Sequence, residues 1–281
     1  MNLRRLVRID EPYFQFNREE RHLAAILFHL LNHKDNAERV LQRAEPDWKV
    51  NPAEFGVYFE YSYPRDLWHE LNHKPKPNDL KRKVIIEMLD SHGFDTSKLA
   101  SLKQVKIEDF NAFFIERASG KYIESPANWN LPQIAKSLPL PCAHSNEDLV
   151  TACKIKWAFK AKPDIVIHAD REHALCIELK LEAGEGSYPT DACEKKLLRG
   201  RGLFGEQEKG LPLPMSQTDL QKFLMTKLLG LHCRFRFITR HGTAGTECVS
   251  WRDFLALFDP LPPLPQYIEA ALENAEHLLV R

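Results

Sequence analysis

Two hydrophobic periods divide this chain. Through the first 140 residues, apolar side chains recur every three or four positions, the spacing of helices that bury one face. Leu23, Ile26, Leu27, Leu30 and Leu31 form such a stripe, and with Asn17 as cap they predict one long helix over 17–44. Its other positions mix signs (Arg18, Glu19, Arg21, Lys34, Glu38, Arg39), as a solvated face does. Further helices are predicted over 64–71, opened by Pro64; over 79–92, capped by Asn78 and stopped by Gly93; over 108–117; and over 131–137. One aromatic-rich strand, 54–61, interrupts them, and Pro126, Pro132, Pro139 and Pro141 punctuate a looser stretch over 119–144.

After residue 140 the pattern alternates. A helix over 146–158, with Ser145 or Asn146 as N-cap, precedes strands over 164–168 and 174–182. A helix over 217–229, strands over 234–239 and 246–249, and helices over 250–258 and 266–280 follow. Ile165, Val166 and Ile167 are apolar without alternation, which predicts a strand buried on both faces of a sheet. In the next strand Ile177, Leu179 and Leu181 share one side, and Glu178, Lys180 and Glu182 the other. The glycine-bearing stretch 183–215 reads as a long loop, a candidate flap over a substrate.

Pairing the first two of these strands across the Asp170–His173 turn brings Asp164 close to Glu178 and Lys180. Two carboxylates and an ammonium on a rigid sheet suit a hard divalent cation and an activated water. Glu-x-Lys alone carries little, since Glu194-Lys195-Lys196 repeats it in a polar segment without a strand pattern. With Pro163-Asp164 as first half and Glu178-Leu179-Lys180 as second, however, the segment resembles the PD-(D/E)xK nuclease superfamily.

The resemblance implies an α/β fold: a restriction-endonuclease-like mixed sheet flanked by helices, here with a mainly α-helical N-terminal region. Residues 1–140 would be an accessory or recognition domain and 141–281 the nuclease-like domain. Asp164 and Glu178 would hold Mg²⁺ (or Mn²⁺). Glu147, with Asp148 as the neighbouring alternative, would add a ligand from the preceding helix. Lys180 would orient and help deprotonate the attacking water, and Gln217 would hold that water or a phosphate oxygen. Relatives follow this Gln with Tyr four residues later, where this chain has Gln221. The family core also carries a strand before the Pro-Asp strand. Between Trp157 and Pro163 there is little room for one, so it comes from elsewhere in the chain or is missing.

The implied activity is metal-dependent hydrolysis of phosphodiester bonds in nucleic acid, DNA favoured over RNA, in prokaryotic antiviral defence or DNA processing. Endonuclease and exonuclease modes are both open. The alternative is a catalytically silent nuclease fold that binds nucleic acid or a protein partner. A homodimer or larger defence complex is compatible with either reading, and nothing specifies an interface.

Formal charge is zero, 39 basic against 39 acidic residues, which argues against a protein living by non-specific phosphate attraction. Local clusters matter more than the sum. Lys154, Lys156, Lys160 and Lys162 crowd the approach to Asp164; Lys195, Lys196, Arg199 and Arg201 lie in the long loop; Arg234, Arg236 and Arg240 follow the Gln217 helix. No apolar run is long enough to span a membrane and no signal peptide opens the chain. Six cysteines, all in the second half without C-x-x-C spacing, read as reduced, mostly buried thiols of a cytoplasmic protein. His29 with His33 and His69 with His73 stand at helical spacing, but no third ligand completes a zinc site.

Overall fold

The apolar run Ile165-Val166-Ile167 becomes the second strand of an open five-stranded mixed sheet in the computed structural model, which describes residues 20–138, 143–180, 185–205, 212–239, 248–258 and 266. In chain order the strands are β1 (Gly56–Phe59), β2 (Ile165–His168), β3 (His173–Leu179), β4 (Ser187–Tyr188), β5 (Met215–Ser216), β6 (His232–Thr239) and β7 (Cys248–Ser250). The large sheet runs β1-β2-β3-β6-β7, while β4 and β5 pair separately. β1, β2 and β3 form an antiparallel meander, and β6 and β7 continue it in parallel. The β2–β3 hairpin forms where the sequence places it. Asp170 accepts the amides of Glu172 (2.7 Å) and His173 (2.8 Å) and so closes the turn.

The strand expected ahead of Pro163-Asp164 comes from far upstream: β1 pairs with β2 from Gly56↔His168 to Phe59↔Ile165. Two more bonds extend that edge, Glu60 N to Asp164 O (2.8 Å) and Tyr61 N to Pro163 O (2.9 Å).

Two compact units emerge, and neither is a continuous half of the chain. The first comprises Met1–Tyr61, Pro163–Gly184 and Leu231–Arg281; the second comprises Ser62–Lys162 and Glu185–Gly230. The boundary expected at residue 140 falls inside the second unit, and both sequence halves contribute to both units.

In the first unit, one face of the sheet (Ile165, Ile167, Leu175, Ile177, Leu179, Ile238) joins a core with Leu23, Leu27, Leu30, Leu31, Val40, Leu41, Trp251 and Phe254. The single helix expected over 17–44 is two helices among the described residues, Glu20–Leu31 and Lys34–Ala44. Side-chain amides compete for the carbonyls at the break: Asn32 Nδ2 donates to Phe28 O (2.8 Å) and Asn36 Nδ2 to Leu30 O (3.0 Å). His33 is extended there, with φ −75° and ψ 116°.

The second unit is mainly helical: Tyr63–Glu70, Pro77–Ser91, Thr96–Leu102, Ile107–Phe114, Leu131–Ser137, Ala143–Ala158, Ala192–Gly200 and Gln217–Lys222. Asn78 lies inside its helix instead of capping it, and reaches sideways to Lys121 O (3.2 Å) and Ile123 N (2.9 Å). Gly93 does end that helix, at φ +82°. The helix expected to be capped by Ser145 or Asn146 begins earlier, at Ala143, leaving both residues in its interior. The 183–215 segment is no simple loop. β4 pairs with β5 at its base, and it carries the helix Ala192–Gly200, capped by Asp191. Ser216 caps the helix that opens at Gln217, which continues as a π-helical turn over Phe223–Leu228.

The cap Asn17, the strand residue Glu182, Arg240 and nearly all of the helix expected over 266–280 lie outside the described residues. Among those described, no helix is long and apolar enough to cross a membrane.

Candidate active site

The β2–β3 register pairs Ile165 with Ile177, so one further step sets Asp164 beside Glu178. Asp164 stands just before the strand, and its Oδ2 accepts the Leu179 amide at 2.9 Å. A side-chain carboxylate thus takes the place of a ladder carbonyl and orients itself in doing so. Glu178 lies in β3 and Lys180 follows its last residue, Leu179, so the strand expected over 174–182 ends earlier. The extended alternation still sets both side chains on one side. Lys180 Nζ lies 2.8 Å from Glu178 Oε1, with the side chains 13% and 3% exposed. The Lys180 peptide is held at both ends, its amide donating to Ile238 O (2.8 Å) and its carbonyl accepting the Trp251 indole N–H (3.3 Å). The structure therefore brings Asp164, Glu178 and Lys180 together within the first unit.

Cys176 shares the strand side of Glu178. Burial raises its pKa well above the usual thiol range, and Cys233, Glu178 and Asp164 raise it further, so it stays a neutral thiol. Cys153 and Cys176 are buried free thiols, as expected, whereas Cys193 is exposed.

Several basic residues expected around the site are engaged elsewhere. β6 pairs in parallel with β3, setting Arg234 beside Leu175 and Arg236 beside Ile177. Both arginines therefore lie on the sheet face opposite to Glu178. Arg234 pairs with Glu45, and Arg236 donates to Ala44 O (3.1 Å) at a helix C-terminus, where a cation is favoured. In the second unit Lys156 is buried against Glu194 (2.5 Å), Arg199 lies over the Phe204 ring and Arg201 donates to Ala135 O (2.8 Å).

Glu147 and Gln217 belong to the second unit. Glu147 is an exposed position on Ala143–Ala158. Its neighbour Asp148 is buried and structural, accepting the Asp95 amide (2.8 Å) and the Lys98 ammonium (2.6 Å). Gln217 opens its helix as expected, its amide bonded to Gly186 O (2.8 Å). A Cβ on Gly186 would stand 3.3 Å from Gln217 Oε1, a tight contact that a small shift of the Gln217 side-chain end would relieve.

Among the described residues no group of three or more His, Cys, Asp or Glu could hold a metal, and a closed structural zinc site requires four protein ligands. Two carboxylates are enough for Mg²⁺ or Mn²⁺, since Mg²⁺ keeps several waters and takes phosphate oxygens from its substrate.

No family model, curated protein or solved structure matches this chain.

Two residues near the trio were missed in the sequence. Trp251 opens a helix, expected over 250–258 and capped here by Ser250, but its indole reaching the Lys180 carbonyl was not legible. Glu60 takes a left-handed conformation (φ +46°) beside Asp164, and no turn signature such as Asn-Gly announces it.

Proposed function

We propose that this protein is a metal-dependent nuclease hydrolysing phosphodiester bonds of nucleic acid, with DNA favoured over RNA. The observation that carries the reading is a carboxylate pinned by a strand amide, Asp164, beside a nearly buried Glu178–Lys180 pair. The topology supports it as well: an antiparallel meander continued by parallel strands, with the Asp at the start of β2 and Glu-x-Lys at the end of β3, is compatible with a restriction-endonuclease-like sheet.

Asp164 and Glu178 would bind Mg²⁺ or Mn²⁺ through hard oxygens. When bound, the cation supplies Lewis acidity and lowers the pKa of its water. Lys180 would orient that water, help remove its proton and balance the negative charge that builds on the phosphoryl oxygens. Because Lys180 is backed by Ile238 and Trp251 through its peptide, its side chain works from a fixed base. Glu147 and Gln217 belong to the second unit, and the roles implied for them rest on the resemblance alone.

The decisive assay incubates wild type and Lys180→Ala with single- and double-stranded DNA and RNA, in Mg²⁺ or Mn²⁺. Metal-dependent cleavage by the wild type and its loss in the variant are expected. Binding without cleavage under every condition would identify a silent nuclease fold instead.

A further inference from the structure

We propose that Lys180 is a built-in competitor for the cation: in the metal-free protein its ammonium occupies Glu178, and a phosphodiester is what draws it away. This rests on the metal-dependent reading above and adds a regulatory step to that same site.

The pair is unlike a surface ion pair. Arg21 and Glu60 meet at 3.4 Å with Arg21 79% exposed, where water and salt screen the attraction. Glu178 and Lys180 meet at 2.8 Å with almost no solvent on Glu178, so their attraction is weakly screened and neither gives up the other without a replacement. The charges give the consequence. Asp164 and Glu178 are acidic and Lys180 is basic, so the ammonium offsets part of the negative charge that would draw a divalent cation. The cation must also compete with an ammonium already in contact with Glu178 Oε1.

A phosphodiester changes both facts. It brings one negative charge, offers Lys180 another anion and supplies oxygens to complete the cation's shell. Lys180 can make that exchange without disturbing β3, because its peptide is anchored while four methylenes carry the ammonium. Asp164 stays oriented throughout, because its tether is a backbone amide. Metal and nucleic acid then bind cooperatively, each raising the affinity of the other by the same factor.

Mn²⁺ titration by calorimetry tests this without relying on turnover. Wild type, Lys180→Met and Lys180→Gln are titrated alone and with a short phosphorothioate DNA duplex, after thermal melts confirm that each is folded. Without DNA, Lys180→Met should bind Mn²⁺ about tenfold more tightly than wild type, because the ammonium no longer competes for Glu178 Oε1. Lys180→Gln, which keeps a neutral donor near Glu178, should lie between them. DNA should tighten Mn²⁺ binding to wild type and do so less in Lys180→Met. Equal or weaker Mn²⁺ binding by both variants, with wild type binding normally, overturns the exchange and leaves the metal site standing. A wild type that neither binds Mn²⁺ nor cleaves any nucleic acid overturns both.

Discussion

Glu178-Leu179-Lys180 lies on a strand and Glu194-Lys195-Lys196 on a helix, and the backbone period decides what the same spelling does. On the strand, positions two apart share a side, so Glu178 meets Lys180 within its own tripeptide. On the helix, two positions span about 200° of turn. Glu194 accordingly takes its partners from another helix: the Lys156 ammonium and, at 2.9 Å, the Trp157 indole N–H. Both glutamates are buried and both meet a lysine. Yet both oxygens of Glu194 face donors of the fold itself, whereas Glu178 stands beside a second carboxylate. One pair holds two helices together; the other lies in the site proposed for the cation.

Substitution should separate the two most sharply in turnover. Glu178→Ala is expected to lower cleavage by about 10²–10³-fold or more, read as initial rates at saturating Mn²⁺. Glu194→Ala should leave the rate per folded molecule near wild type; an equal loss there would erase the distinction. Like-charge repulsion between Asp164 and Glu178 alone would make Glu178→Ala stabilising. The Lys180 contact reverses that expectation, because it leaves the ammonium without this partner.

Stability should show the converse. Glu194→Ala strands Lys156, and unfolding in urea should show a loss of about 3–5 kcal/mol. Replacing the pair together, Lys156→Met with Glu194→Met, should recover most of it, because a buried ion pair exchanged for apolar volume is often neutral. Failure of the double variant to recover would mean that the Trp157 bond, not the ion pair, fixes this junction.

The smallest effect is expected from His168, whose Nε2 lies 3.1 Å from the Tyr61 hydroxyl. Burial lowers its pKa, opposed by Asp170. The folded state thus resists protonation, and its stability should fall as pH drops below the ordinary histidine value of about 6.5, where the unfolded chain takes up the proton first. Melting curves of His168→Gln should show a shallower slope across that window. An unchanged slope would remove His168 from the acid response, while neither glutamate pair is called upon to explain it.

Local signals carried the centre of the molecule. The Asp170 turn, the alternation through Glu178 and Lys180, and the helix Leu131–Ser137 were all legible, because each depends on neighbours in sequence. Pairing of β1 with β2 was not, since residues more than a hundred apart leave no periodic trace. The Ala192–Gly200 helix stayed hidden because its buried residues are Glu194 and Leu198, and a charged anchor breaks the apolar stripe that marks a helix. Basic clusters misled for a related reason. Arg234 and Arg236 look available in sequence, and only the parallel register with β3 turns them to the other face of the sheet.

The division of the first unit among three stretches of chain also sets an order of events on the ribosome. β3 gains its parallel neighbour only when β6, ending at Thr239, has been made, and the Trp251 contact to Lys180 requires a still later stretch. A nascent chain stopped between Lys180 and His232 holds Asp164, Glu178 and Lys180 without the strand that backs them. The residues proposed to cut nucleic acid are thus fully backed only once the stretch through Trp251 has been made, so fragments ending before it would lack that support.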